Sequence, residues 1–245
     1  MGSKAILERL AKNPSAQSNA RLGFLLKIFH YFDVMIALSL RKAPLGSPYN
    51  QEQSFDVDPI FGLTAGLWPT LHFVARFLAN KAELITDEAT SLKALELTEQ
   101  LSTPFGISST EQEKLYGQPR VDLEALVQIS NAYRSSVLLI LHHEVLDTRD
   151  SEILNRIYSQ ALDSLLRIAA LDGPMATYST SVWPLFTVGR YANSSSDRTI
   201  LRHIFLKIYR RHHMKIVETV NISMNQMWEA GVDPNVSTPA PVFFA

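Results

Sequence analysis

The stretch "VDLEALVQISNAYRSSVLLILHHEVL", residues 121–146, decides the fold. Leu123, Leu126, Val127, Val137, Leu138, Leu141 and Val145 largely keep helical spacing. The inner run "VLLIL", residues 137–141, is apolar all round, which marks a helix enclosed by others rather than one lying on a surface. A central helix of this kind needs a shell, and the rest of the chain supplies one.

Towards the N-terminus, the pattern predicts helices over 3–13, 19–40, 63–84 and 86–101. Pro69 falls inside the third of these. Towards the C-terminus it predicts helices over 150–171, 178–193, 196–212 and 214–230. Segments 41–59 and 102–120 read as loops from their prolines and polar residues, and long loops in compact domains often lie over a site. No period-two strand, internal repeat or low-complexity tract interrupts the series. The expected fold is a single all-α domain of about nine helices over 1–230, followed by a proline-rich tail, 231–245, in which Phe243 and Phe244 pack on the domain's own core or on a second copy in a homodimer.

Composition narrows the function. The chain has 245 residues, 46% hydrophobic and 19% charged, with a net charge of −1. That is an ordinary globular balance with no general basic character to suggest nucleic-acid binding. There is no cysteine, which excludes disulfides, thiol catalysis and thiolate zinc sites within these residues. The segment "LGFLLKIFHYFDVMIALSL" is interrupted by Lys27, His30 and Asp33, so it reads as a core helix rather than a membrane span. A soluble, cytoplasmic protein is expected.

No catalytic or cofactor signature appears. His142 and His143 are adjacent rather than four apart and point to different helix faces, so they do not form a metalloprotease pair. Neither a serine-nucleophile elbow nor a phosphate-binding glycine loop is present. No metal and no cofactor are expected. The basic run "RTILRHIFLKIYRRHHMK" alternates with Ile200, Leu201, Ile204, Phe205 and Ile208, which describes one apolar and one solvated basic face.

Two polar positions carry more weight. Asp33 sits in an apolar helix and must be paired, exposed or protonated. It is a hydrogen-bonded core acid or a general acid in a dry pocket, with His30 one turn earlier on the same face. In "SVWPLFTVGRYANSSSD", residues 181–197, Pro184 bends or restarts a helix. Arg190 and Tyr191 follow. If Arg190 faces inward, its fork of donors can grip a carbonyl or enolate oxygen; if outward, it is only solvated. Trp68-Pro69, followed by His72, repeats the aromatic-proline device.

The segments "HYFDVMIALSLRKAPLG", "DPIFGLTAGLWPTLHFVARFLA", "YRSSVLLILHHEVL", "SVWPLFTVGRYANSSSDRTILRHIF" and "MNQMWE" resemble, in this order, the fungal-specific transcription-factor regulatory domain over roughly residues 20–230. The resemblance implies an all-helical domain of the kind that follows a zinc-cluster DNA-binding module, here without that module. Where the family often carries a Gly-Cys-Glu-like step after Trp-Pro, this chain has Gly189-Arg190-Tyr191.

Two functions follow from the likeness. The first is a regulator that senses a ligand or binds a partner without its own DNA contact, and is then nuclear. The second, implied by stand-alone relatives in fungal secondary metabolism, is the function expected here, a cofactor-independent hetero-Diels–Alderase, with the regulator as its alternative. It would join a tropolone o-quinone methide to a humulene-type sesquiterpene. On that reading Trp183, Phe186, Trp68, Phe73 and Met35 line an apolar pocket with His72 and Tyr191 at its edge. Arg190, Tyr178 or His142 polarises the heterodiene, and Asp33 or a histidine acts as the acid that expels water.

Overall fold

In a computed structural model, residues 20–46, 63–81, 88–102, 123–171, 181–213 and 215–231 are described. These residues are all-α, with no strand among them. The helices are α1 (Ala20–Leu40), α2 (Trp68–Ala79), α3 (Glu88–Ser102), α4 (Leu123–Ile140), α5 (Ser151–Ala170), α6 (Val182–Arg190), α7 (Ser195–His212) and α8 (Lys215–Glu229). The opening helix, the 102–120 loop beyond Ser102 and the C-terminal tail expected from the sequence lie outside the described residues.

The central helix is α4. Val137, Leu139 and Leu141 are fully buried at its C-terminal end, as the all-round apolar run requires. Its broadest partner is α5, which lies alongside it. Both helices bury small side chains (Ser130, Ala132, Ser135 and Ser136 on α4, Ala161 and Ser164 on α5), which leave room for the backbones to approach. α5 begins where Asp150 accepts hydrogen bonds from the Glu152 and Ile153 amides at 2.9 and 3.3 Å. Ser194 starts α7 in the same way through the Asp197 amide at 2.9 Å. Each cap satisfies amides that a helix start leaves without an intrahelical partner. Leu201, Ile204, Phe205 and Ile208 turn the inner face of α7 to the core, as expected.

Both prolines stand at helix starts. Pro69 is not inside a helix spanning 63–84: residues Ala65–Leu67 form one 3-10 turn and α2 begins at Trp68, placing Pro69 in its first turn. Pro184 lies in the first turn of α6, which begins at Val182, while residues 178–180 of the expected helix lie outside the described residues. The amide that a proline lacks has no intrahelical acceptor there, so each proline starts a helix without breaking one. The predicted helix over 121–146 also divides. Its α-helical part ends at Ile140, and Leu141–Val145 form a π-helical turn.

α1 is long and apolar enough over Gly23–Leu40 to cross a membrane by length and composition. Its second half, from Asp33 to Ser39, is almost wholly buried, whereas Phe24, Leu25 and Phe32 in its first half are exposed.

Candidate functional site

The π turn positions the most unusual group in the core. The Leu146 amide bonds back to the Leu141 carbonyl and the Thr148 amide to that of His142, both at 2.8 Å. Asp147 closes the turn in the left-handed conformation, φ 47°. His142 is held within the turn, its Nδ1 2.9 Å from the Thr148 hydroxyl. The wider turn carries Glu144 inward, where it is only 6% exposed. π turns are rare, and they concentrate at functional positions.

Glu144 does not stand alone. Arg41, just past the end of α1 with φ 53°, donates Nη1 to the Leu38 carbonyl at 3.2 Å and Nη2 to Glu144 Oε1. The Tyr191 hydroxyl donates to the same oxygen at 2.6 Å. Arg190 Nη2 lies 4.0 Å from it. The Tyr191 ring stacks on His143, with centroids 4.3 Å apart and planes at 10°. Two guanidinium groups therefore approach one carboxylate oxygen in the interior, together with a phenol.

The electrostatics follow from that crowding. Burial pushes the Arg41 pKa down and neighbouring Arg190 adds to the effect, while Glu144 opposes both. Burial and then the Glu144 charge push the Tyr191 phenol well above its ordinary range, so it stays a protonated donor. Burial also lowers His143 despite the nearby carboxylate. The cluster holds charge in place and offers a choice of cations for one anion.

A second polar group sits on the same connecting segment. Asp33, 7% exposed, accepts the Leu45 amide on Oδ1 and the Gly46 amide on Oδ2, both at 2.9 Å. His72 Nε2 lies 2.9 Å from the Gly46 carbonyl, so that nitrogen carries the proton. A side chain at Gly46 would meet His30 Cε1 at 3.2 Å. Asp33 is thus hydrogen-bonded in the core, a tether from α1 to the segment leaving it.

Arg190 faces inward, 9% exposed. The aromatic residues expected around a pocket do converge, but onto one another. Trp68 tilts against Tyr31 at 5.4 Å, and Trp183 stacks on Tyr133 at 5.2 Å. The two phenols are hydrogen-bonded to each other. Trp68, Met35, Trp183, Phe186 and Tyr191 all belong to one packed core, with Phe73 against its edge. Tyr178 lies outside the described residues.

Sequence reasoning missed Arg41 and Glu144. The rule applied to Asp33, that a lone acid in an apolar run needs a partner, would have flagged Glu144 as well. Arg41 carries no such signal, because a cation after a helix end is ordinary. The late Trp228 has a definite place too. Its indole N–H donates to the Gly189 carbonyl at 2.9 Å, and Arg198 and Arg202 lie 5.9 and 5.1 Å from its ring centroid.

Among the described residues, no group of three or more His, Asp or Glu side chains is arranged to hold a metal ion. No nucleic-acid-binding module is evident among the described helices. A family model described as fungal specific transcription factor domain matches residues 2–235. No curated protein and no solved structure matches the chain.

Proposed function

Because this chain belongs to the fungal-specific transcription factor domain family, we propose that it is the helical regulatory part of a nuclear transcriptional control system, with DNA contact made by other residues. The observation that carries this reading is the filled Trp68–Tyr31–Tyr133–Trp183 column. An enclosed tryptophan removes about 150–250 Å² from water, worth ~4–6 kcal/mol at roughly 25 cal/mol per Å². Two such side chains occupy the volume that two apolar substrates would need, so admitting them forfeits much of the core. The Arg41–Glu144–Arg190 cluster supports regulation in a second way. It ties α1, the π turn and the end of α6 through one carboxylate, and a shift of Glu144 between cations would be felt in all three elements.

The alternative is the hetero-Diels–Alderase that joins a tropolone o-quinone methide to a humulene-type sesquiterpene. It draws support from the inward Arg190, whose guanidinium is the type of donor that would polarise an o-quinone methide oxygen.

Fusion of residues 1–245 to a heterologous DNA-binding domain, read out on a reporter gene, separates the two. Regulation predicts reporter activity that changes when Glu144 is replaced by Gln. A silent reporter, together with protein-dependent adduct formation from the hydroxymethyl tropolone and the sesquiterpene alcohol, would overturn it.

A further inference from the structure

One line of side chains on α1 stays outside the core. Phe24, Ile28, Phe32, Ile36 and Leu40 stand four residues apart, and a row of that spacing forms a ridge running obliquely along a helix. Phe24 is 47% exposed, Phe32 39% and Leu40 43%, with Ile28 and Ile36 half-buried between them. Exposed Leu25 and half-buried Phe29 widen the ridge over its first two turns. Off the ridge, Val34, Met35, Ala37 and Leu38 are buried.

The ridge carries no charge. Asp33 is occupied elsewhere, holding the Leu45 and Gly46 amides, and the exposed cations Arg21 and Lys42 stand beyond the two ends. Contiguous apolar surface of this kind marks a contact face, and nothing along it would select a charged peptide or a nucleic acid. The order of residues specifies more. Phe-Ile-Phe-Ile-Leu presents nearly the same apolar profile in both directions from Phe32. A two-fold interface requires that residue i meet residue j while j meets i. A second copy turned about an axis beside Phe32 sets Ile28 against Ile36 and Phe24 against Leu40, with the two Phe32 rings side by side. Ridges of this spacing interdigitate when their helices cross at about 50°. With roughly half of each side chain outside, the seven residues offer about 500 Å² per copy. The pair would cover ~1,000 Å², the lower bound for a specific interface, so the association is weak.

We propose that two copies of this chain pair through α1, ridge against ridge, across a two-fold axis at Phe32. The inference stands apart from the regulatory reading, because it uses only this outer face.

Sedimentation velocity of the full chain tests it. The 27.5 kDa monomer is expected to give way to a dimer as concentration rises, with a midpoint of roughly 10–100 µM. Pairing brings Arg21 of one copy towards Lys42 of the other, so it should hold or tighten as salt is added, whereas adsorption to phosphatidylserine vesicles would weaken. Phe32→Glu places two carboxylates at the axis and is expected to weaken pairing about tenfold or more. Mixing it with Phe32→Lys in equal amounts should restore the dimer. The chain has no cysteine, so Phe32→Cys with a short bis-maleimide reports the same contact where the charged variants fail to fold. It should link copies faster than Leu92→Cys on α3, a residue 59% exposed. A monomer throughout with no faster linking at residue 32, a dimer indifferent to Phe32→Glu, or vesicle binding by a chain that stays monomeric would overturn the proposal.

Discussion

Trp228 and Gly189 meet where α8 packs on α6: the indole of one donates to the backbone carbonyl of the other at 2.9 Å. The lack of a side chain at residue 189 makes room beside it for Met224. A Cβ there would stand 2.3 Å from Met224 Cε and 3.3 Å from its Sδ. Gly189→Ala is therefore expected to destabilise the domain by about 1–3 kcal/mol, the cost of overpacking, less the ~0.5–1 kcal/mol gained from alanine's helix propensity. Trp228→Phe removes one of the two bonds to the Gly189 carbonyl, which keeps the Ala192 amide at 3.2 Å, at about 0.5–1.5 kcal/mol. Urea denaturation of both variants measures these shifts, and an unchanged midpoint for Gly189→Ala would show that Met224 moves aside freely.

Glu144→Gln removes the only carboxylate bonded to Arg41 among the described residues and leaves two guanidinium groups close together in the interior. Losing one partner of a buried ion pair costs about 3–5 kcal/mol. Arg41→Met combined with Glu144→Gln should cost less than the sum of the two single changes, because the second removes a charge that the first stranded. Additive losses would mean that the two residues do not interact.

Alkaline pH is expected to unfold the protein cooperatively. The phenols of Tyr31, Tyr133, Tyr158 and Tyr191 are all pushed upward, chiefly by burial. The unfolded chain releases these protons near pH 10 while the folded chain keeps them. Stability is thus intact below about pH 10 and falls as pH rises beyond it. Tyrosinate absorbance should appear together with the loss of helical circular dichroism; tyrosinate growing in before any helix is lost would contradict these burials.

Acid has a milder effect through the imidazoles. His30, His142 and His143 are lowered, first of all by burial. The unfolded chain gains protons below about pH 6.5 that the folded chain resists, so their contribution is present above that pH and lost as it falls. Replacing His143 by Phe should flatten this slope while preserving the stacking on Tyr191, which a pH series of thermal midpoints would reveal.

Asp33→Ala should free the backbone at Leu45 and Gly46 without dissolving the core. Both amides are expected to lose hydrogen-exchange protection, whereas Leu71 and Val74 on α2 keep theirs. Simultaneous loss at all four positions would show that the tether supports α2 as well.

Much of this architecture was legible in the sequence because it depends on periodicity. The enclosed α4 follows from "VLLIL", the α5 and α7 starts follow from Asp150 and the serines before Asp197, and the all-α class follows from the repetition of such segments. One proline was misplaced for a physical reason. Apolar periodicity runs unbroken through the 3-10 turn at Ala65–Leu67, so Pro69 appeared internal when it stands in a first turn. The polar core was only half readable. Asp33 and Arg190 drew attention as polar groups among apolar ones, but the partner of each comes from backbone or from distant chain, at Leu45, Gly46 and Glu144. No local spacing encodes those meetings. What the sequence could not convey is that aromatic side chains at four separate places, Tyr31, Trp68, Tyr133 and Trp183, would pack on one another.

The wide turn at Leu141–Val145 makes length as important as identity here. An α-helical backbone rotates about 100° per residue, so deleting one residue from this turn and restoring regular winding would swing Glu144 toward solvent with its chemistry untouched. A family member shortened by that single position would have to abandon the paired arginines at 41 and 190 together, and the two losses should be found in the same proteins.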